Sequence, residues 1–446
     1  MGQNDAPREQ WGSRVGFLLA AAGSAVGLGN IWRFPYVAGK NGGAAFLLIY
    51  LAIVFSIGAS VMLAELVLGR ASKRNSVGTF RVLKGGAWPI VGWIGLIVAF
   101  LILSYYAVIG GWTMAYIIKS FTGLMSADGA EGAQGVFLSF IASPFQVMSA
   151  FFLFMLTVFC IVYRGVGEGI ERFAKVLMPG LFFILLILMA RALTLPGAAE
   201  GVAFYLKPDF SKVTGATFID ALGQAFYSLS LGMGILVTFG SYLNKKESIP
   251  KSVAMVTFLD TLVAFFSGLV IFPTVFAFGV DAGAGAGLTF ITLPAVFSQM
   301  WGGALWSALF FSLLFIAALT SAVSLFEVVV SYGMDELRWS RPRASVVMGL
   351  AVFLMGIPSA LSNGAVDIRL FGQGFLDGLD WLCSNILLTV CGILICLFAG
   401  WVVCDKVKSE VTNDGQVPFP LLVPWLWILR VVAPAAIIII IYSGLK

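Results

Sequence analysis

The chain has 446 residues, 60% of them hydrophobic and 11% charged, with a mean hydropathy of +0.98. This composition excludes a soluble globular protein and predicts an all-α polytopic membrane protein. A net charge of +5 would suit nucleic acid, but the Lys and Arg residues sit in short loops, where membrane topology accounts for them. There is no histidine, which removes the commonest transition-metal ligand and the usual proton relay near neutral pH.

Apolar runs of roughly 20 residues are long enough to cross a bilayer. Eleven are predicted, at about 12–37, 41–70, 88–122, 146–164, 168–190, 217–241, 251–278, 303–334, 343–361, 377–403 and 421–443. Several exceed the length a span requires, so tilt is expected. Met1–Gln10 is acidic and polar with no basic n-region, so the first run is expected to stay as a span rather than be cleaved. The clusters Arg70/Lys73/Arg74/Arg81/Lys84, Arg164/Arg172/Lys175, Lys245/Lys246/Lys251, Arg338/Arg341/Arg343 and Lys406/Lys408 fall on one side together with Arg8 and Arg14. The positive-inside rule then puts the N-terminus in the cytoplasm and, after eleven spans, the C-terminus outside.

The first run contains Gly23-Ser24-Ala25-Val26-Gly27-Leu28-Gly29-Asn30, an unlikely sequence for a helix interior. Opened backbone in hydrocarbon survives only where it lines a polar cavity. A second break, Ser228-Leu229-Ser230-Leu231-Gly232-Met233-Gly234, interrupts the sixth run. Paired interrupted helices point to a transporter's binding site. In the fifth run, Gly169 is followed by nine residues and then Pro179, so its inner end is expected to unwind and admit water; a routine kinked helix is the plain alternative. The loops 124–135 and 280–302 are expected outside, the second as a lid or an idle linker.

Polar residues at membrane depth mark ion or substrate paths. Four stand out: Asn30, Glu65, Asp260 and Glu327. A satisfied interhelical hydrogen bond is the better reading for Glu65, and the two readings are balanced for Glu327. Asn30 and Asp260 offer hard oxygen to a cation such as sodium. Thr320-Ser321 lies in an apolar run, where hydroxyls often bond their own helix backbone. Of Tyr105-Tyr106 in the third run, one phenol must find a partner. The five cysteines (Cys160, Cys383, Cys391, Cys396, Cys404) lie in apolar runs without a CxxC pair and read as buried thiols.

The stretch Ala22-Gly23-Ser24-Ala25-Val26-Gly27-Leu28-Gly29-Asn30-Ile31-Trp32-Arg33-Phe34-Pro35, with Asn41-Gly42-Gly43-Ala44-Ala45-Phe46, resembles the neurotransmitter:sodium symporter family, in its bacterial amino acid transporters with the leucine-transporter fold. The likeness runs from Trp11-Gly12-Ser13-Arg14 to about Trp401. It implies two inverted five-helix repeats, about 12–190 and 217–403, with an extra helix at about 421–443, forming one transporter domain in a bacterial inner membrane.

The resemblance also implies two sodium sites. One would use the Ala25 carbonyl, Asn30, Ser228, Asp260 and the substrate carboxylate; the other the carbonyls of Gly23, Val26 and Ala317 with the hydroxyls of Thr320 and Ser321. The substrate carboxylate would meet the Leu28 and Gly29 amides and the Tyr106 hydroxyl, and its ammonium the Ala25, Tyr227 and Ser228 carbonyls and the Ser230 hydroxyl. Ile102, Tyr106, Tyr227, Met233, Ser321 and Leu325 would line the side-chain pocket. Arg33 would pair with Asp380 as an outer gate, and Arg8 with Asp335, supported by Trp11 and Tyr242, as an inner one. The Gly169–Pro179 spacing matches the family's unwinding motif in the fifth helix.

Monoamine-transporting members carry aspartate where this chain has Gly27, which argues for amino acid substrates. The lining implied for chloride is Tyr50, Gln224, Ser228, Asp260 and Ala264. Asp260 replaces the usual asparagine and brings a fixed negative charge, so no chloride requirement is expected, although chloride-independent members place a carboxylate at the position of Ala264. The expected function is sodium-coupled import of hydrophobic, aliphatic and aromatic, L-amino acids by alternating access, with no protein or nucleic-acid partner implied. A proton-coupled permease of the same fold is the alternative; a channel or receptor would not need two charged gates. No nucleophile–base pair, metal cluster or nucleotide loop suggests an enzyme.

Overall fold

The computed structural model describes residues 8–123, 129–279 and 288–444. Among these, nine helices have the length and composition to cross a membrane. They are span 2 (Ala44–Ser72), span 3 (Pro89–Lys119), span 4 (Pro144–Tyr163), span 5 (Val166–Leu193), span 7 (Ile249–Ala277), span 8 (Gly303–Asp335), span 9 (Arg341–Leu361), span 10 (Phe375–Val402) and span 11 (Leu422–Tyr442). Span 1 is a pair of helices, Arg14–Ala25 and Gly29–Lys40, bent by 52°. Span 6 is likewise two pieces, Gly215–Ser228 and Ile235–Ser241. Both expected breaks are therefore present, and nine helices plus the bent pair span at the expected positions among the described residues.

Each break has a local cause. Ser13 caps the start of span 1 by accepting from the Gly16 amide, and the helix stops at Val26, whose backbone is extended (φ −70°, ψ 99°). Span 6 starts from a reciprocal cap between Thr214 and Thr217. Its interruption runs through left-handed backbone at Ser230 (φ 54°), Gly232 (φ 76°) and Gly234 (φ 70°). Glycine adopts that conformation without steric penalty, whereas a serine there is uncommon.

Spans 3 and 8 pack along each other at the centre. In span 8, 89% of the apolar window is buried inside the protein, against 28% for span 5. Span 2 and the second half of span 6 approach with backbones almost touching. A Cβ on Gly69 would lie 2.0 Å from the Val237 carbonyl oxygen, and one on Gly240 would lie 2.5 Å from that of Leu66.

The connections hold structure that hydropathy did not reveal. Short helices occur at Ser76–Leu83, Gly129–Ile141, Ala198–Leu206, Leu293–Ser298 and Cys404–Val411, and a two-residue hairpin pairs Arg369 with Gly374. The stretch 124–135 is thus helical from Gly129, with 124–128 outside the described residues. Of the stretch 280–302, residues 280–287 also lie outside them; the rest carries Phe290, whose ring packs on Trp32, Trp112, Tyr116, Phe137 and Phe311. That segment is a packed cover rather than an idle linker. On the opposite side, fully buried Arg70 bonds Glu410 Oε1 at 2.5 Å, the Glu247 carbonyl and Asn413, docking the Cys404–Val411 helix onto the end of span 2.

Gly69→Ala should destabilise the protein by about 1–3 kcal/mol, because the new methyl overpacks a backbone contact. Gly135→Ala, which has open space around it, should change stability by well under half of that. Thermal unfolding in detergent with a tryptophan readout checks the pair; equal effects would refute the interlock.

Candidate functional site

The two breaks face each other, and the Ser24 carbonyl is where they join. It accepts from the Ser230 hydroxyl in the span 6 break at 3.0 Å and from the Ser321 hydroxyl of span 8 at 3.1 Å. Backbone opened in one helix is thus satisfied by side chains from two others. The Ser321 hydroxyl also lies 3.5 Å from the Gly23 carbonyl and 3.4 Å from that of Val26. Thr320 beside it bonds its own helix, at 3.1 Å to both the Ile316 and Ala317 carbonyls. Its Cβ would stand 3.2 Å from a Cβ on Gly23. Gly23, Val26, Ala317, Thr320 and Ser321 are therefore one cluster of hard oxygens, the donor type sodium takes.

A second cluster forms around Asn30 and Asp260, both with no exposed surface. The Asn30 amide donates to Asp260 Oδ1 at 2.7 Å, the Asp260 carbonyl at 3.1 Å and the Ser228 hydroxyl at 3.0 Å, while its oxygen accepts from the Gly27 amide at 3.1 Å. The Ser228 hydroxyl lies 2.9 Å and 3.0 Å from the two Asp260 oxygens. Tyr50 reaches Ser228 at 3.4 Å, and Gln224 donates to the Gly29 carbonyl at 2.9 Å. A carboxylate and an amide with a hydroxyl between them fit a hard monovalent cation.

Between the clusters lies a small, largely apolar cavity. It is lined by Ala25, Gly29, Ile102, Tyr106, Tyr227, Ser228, Ser230, Met233, Ser321 and Leu325, all expected from the sequence, and by Ser24, Gly27 and Ile235, which were not. Leu28 enters through its backbone, donating its amide to the Tyr106 hydroxyl at 3.2 Å. Gly27 is a wall: a Cβ there would sit 2.7 Å from Ser321 Oγ and 3.0 Å from the Tyr106 hydroxyl. Ile235 escaped notice because it follows the second break as an ordinary helix-starting isoleucine. The Ser24 carbonyl carries no side-chain signal at all.

The residues expected as an inner gate form a network. Arg8 pairs with Asp335 at 2.6 Å, donates to Ser241 and lies over the Tyr242 ring. The Trp11 indole donates to the Phe239 carbonyl, and the Tyr242 hydroxyl to Glu327 at 2.6 Å. Glu327 is further held by both ends of the Arg341 guanidinium, at 2.8 Å and 2.9 Å, and Arg341 also binds Glu9. Glu327 is thus satisfied by interhelical hydrogen bonds and ion pairing, in a network that also holds Glu9 and Arg341, the latter read from the sequence only as a loop charge.

The outer gate differs from expectation. Among the described residues Arg33 and Asp380 make no ion pair. Arg33 lies over the Tyr227 ring at 4.7 Å, while Asp380 accepts from the Tyr105 hydroxyl at 2.8 Å and from Ser384. The aromatic face and the phenol satisfy the two charges separately. Glu65 follows its structural reading, accepting from the Gly232 amide at 2.8 Å in the span 6 break. Gly169 sits in a widened turn, Val166–Glu171, whereas Pro179 lies inside the continuous helix Arg172–Leu193.

Two interrupted helices around an oxygen-rich cavity, flanked by charged networks, fit a membrane transporter. A sequence profile of the Sodium:neurotransmitter symporter family matches residues 8–130 and 138–446, and the chain belongs to that family. It is 41% identical to an uncharacterized sodium-dependent transporter of Bacillus subtilis, over 97% of this chain and 96% of that protein. It is 37% identical to another of Haemophilus influenzae, over the full length of both. The crystal structure of MhsT in complex with L-phenylalanine superposes with a TM-score of 0.89 at 43% identity, covering 98% of this chain and 100% of that one. The fold is therefore the leucine-transporter fold, with its five-plus-five inverted repeat, and the protein is a sodium-dependent symporter rather than an enzyme.

Arg341→Ala should cost about 3–5 kcal/mol, since it strands the fully buried Glu327. Arg369→Ala, which breaks the exposed pair with Asp367, should leave stability nearly unchanged. Melting temperatures of the two purified variants test the contrast; equal losses would remove Arg341 from a structural role in the gate.

Proposed function

We propose that the chain imports hydrophobic L-amino acids, aliphatic and aromatic, coupled to two sodium ions. The observation that carries this reading is the convergence of both oxygen clusters on one apolar-ended cavity. Its Tyr106, Leu28 and Ser230 groups suit a zwitterion backbone, and its Ile102, Met233 and Leu325 side chains suit an apolar side chain. Met233 is flexible and polarizable enough to repack around different shapes. The bound L-phenylalanine of the MhsT structure supports the same class. The Asn30–Ser228–Asp260 cluster would hold one sodium beside the substrate carboxylate, which ties substrate affinity to sodium. A ligand shifts inward and outward states only by its differential affinity for them, and this shared ion supplies the difference.

Asp260 contributes a fixed negative charge next to that ion, so no chloride is required. The repeats span about 12–190 and 217–403, the N-terminus lies in the cytoplasm and the C-terminus outside, in a bacterial inner membrane. The segment Gly169–Pro179 opens during inward release, and the small cavity touching Gly23, Ile170 and Thr320 is the space it would connect to the cytoplasm.

Uptake of labelled amino acids into proteoliposomes is the direct test. Leucine, phenylalanine or tryptophan should accumulate with an inward sodium gradient and compete better than glutamate or lysine; tighter binding of the charged substrates would overturn the assignment. Ile102→Phe should shift preference toward smaller side chains. Thr320→Ala combined with Ser321→Ala should abolish accumulation in a protein that still melts cooperatively. Replacing chloride by gluconate should leave wild-type uptake unchanged, and Asp260→Asn should weaken sodium and substrate binding together, by about tenfold or more, the factor that about 1.4 kcal/mol represents. Chloride-dependent wild-type uptake would take the carboxylate out of this role.

A further inference from the structure

The stretch ahead of span 1 and the start of span 5 are bonded to each other in both directions. Glu9 in the stretch accepts from the Val166 amide at 2.8 Å, just past Gly165, whose φ of 90° turns the chain into span 5. Glu171, on the next turn, returns the bond. Its Oε2 accepts from the Gly12 amide at 2.7 Å and its Oε1 from the Ser13 hydroxyl at 2.8 Å. Lys175, four residues on, holds the same Oε1 at 2.6 Å. The Glu171 side chain is 4% exposed, so it is a buried charge with three donors, two of which belong to another element. Room for it comes from Gly16, where a Cβ would lie 2.2 Å from the Glu171 carboxyl carbon.

The same stretch carries the inner gate. Arg8 ties it to Asp335 and Ser241, and Trp11 to the Phe239 carbonyl. Its far end is therefore fixed to spans 6 and 8 and its near end to span 5. Ile170, adjacent to Glu171, lines the small cavity that also touches Gly23 and Thr320. Loosening this one turn would disturb the wall of that cavity.

We propose that Glu171 is a positioning residue that couples the inner gate to the opening of span 5. If the N-terminal stretch leaves first, the carboxylate keeps only Lys175 of its three donors; if the Val166–Glu171 turn unwinds first, Gly12 and Ser13 lose their acceptor. Either step breaks the same two bonds, and once they are broken the other step no longer opposes them. Release of the strap and unwinding of the turn therefore favour each other. This inference rests on the reading of Gly169–Pro179 as an opening segment, and the experiment separates the two.

Hydrogen exchange of amides 166–178 in the full-length protein, read by mass spectrometry, provides a double-mutant cycle. Arg8→Ala, which frees the strap at its far end, should speed exchange of these amides by about tenfold, the size expected for losing a charged hydrogen bond. Glu171→Ala should do so by itself. In the Glu171→Ala background, Arg8→Ala should add less than twofold, because the connection is already cut. Gly16→Ala, which keeps the carboxylate but displaces it, should behave as Glu171→Ala does and covers the case in which that variant folds poorly. Fully multiplicative effects of Arg8→Ala and Glu171→Ala would overturn the coupling. If amides 166–178 of the wild type exchange no faster without sodium than with it, the opening segment itself is wrong, and the coupling falls with it.

Discussion

Everything in this molecule follows from the cost of an unpaired backbone group in hydrocarbon. Helices 1 and 6 are both interrupted at mid-membrane depth, and each interruption frees amides and carbonyls that need partners. The Ser24 carbonyl finds two, the Ser230 and Ser321 hydroxyls. The Gly232 amide finds the Glu65 carboxylate, and the Leu28 amide the Tyr106 phenol. The Gly29 carbonyl is satisfied by Gln224. These bonds assemble the cavity, because each partner comes from a different helix and can reach only if spans 1, 2, 3, 6 and 8 lie where they do. The polar centre is thus both the candidate functional site and the reason for the packing around it.

Charges are handled differently on the two sides of that centre. On the inner side they are concentrated and mutually neutralised: Arg8 with Asp335, Arg341 with Glu327 and Glu9, Arg70 with Glu410. Buried pairs of this kind cost much when one partner is removed and little when both are hydrated together. On the outer side Arg33 and Asp380 are each satisfied by a tyrosine, through a ring face and a phenol. These partners can be exchanged without stranding a charge.

Legibility in the sequence tracked the kind of signal each element emits. Spans were visible because twenty apolar residues have no other soluble fate, and the breaks because Gly23, Gly27 and Gly29 with Asn30 contradict a helix. Asn30 and Asp260 stood out for the same reason, as polar side chains at membrane depth, whereas Thr320 and Ser321 gained an expected ion role only through the family likeness. The helices at Ser76–Leu83 and Cys404–Val411 were not, since they are short, amphipathic and embedded in charge-rich loops. Arg70 and Arg341 looked like topological charges because Glu410 and Glu9 lie 340 and 332 residues away. The Arg33–Asp380 pairing, inferred from family likeness, gave way to tyrosines that the sequence already contained but whose geometry it could not express.

The Ser24 carbonyl has a consequence for how this transporter tolerates change. Its central bonding group is part of the peptide unit, so every amino acid supplies it equally. Side-chain replacement at residue 24 leaves that acceptor in place, and a scan by alanine would pass over the junction of three helices without registering it. An ester in place of the peptide that contributes this oxygen, which weakens the acceptor while preserving its position, would register it at once. The part of the site least able to drift is therefore invisible to the alphabet in which drift is written.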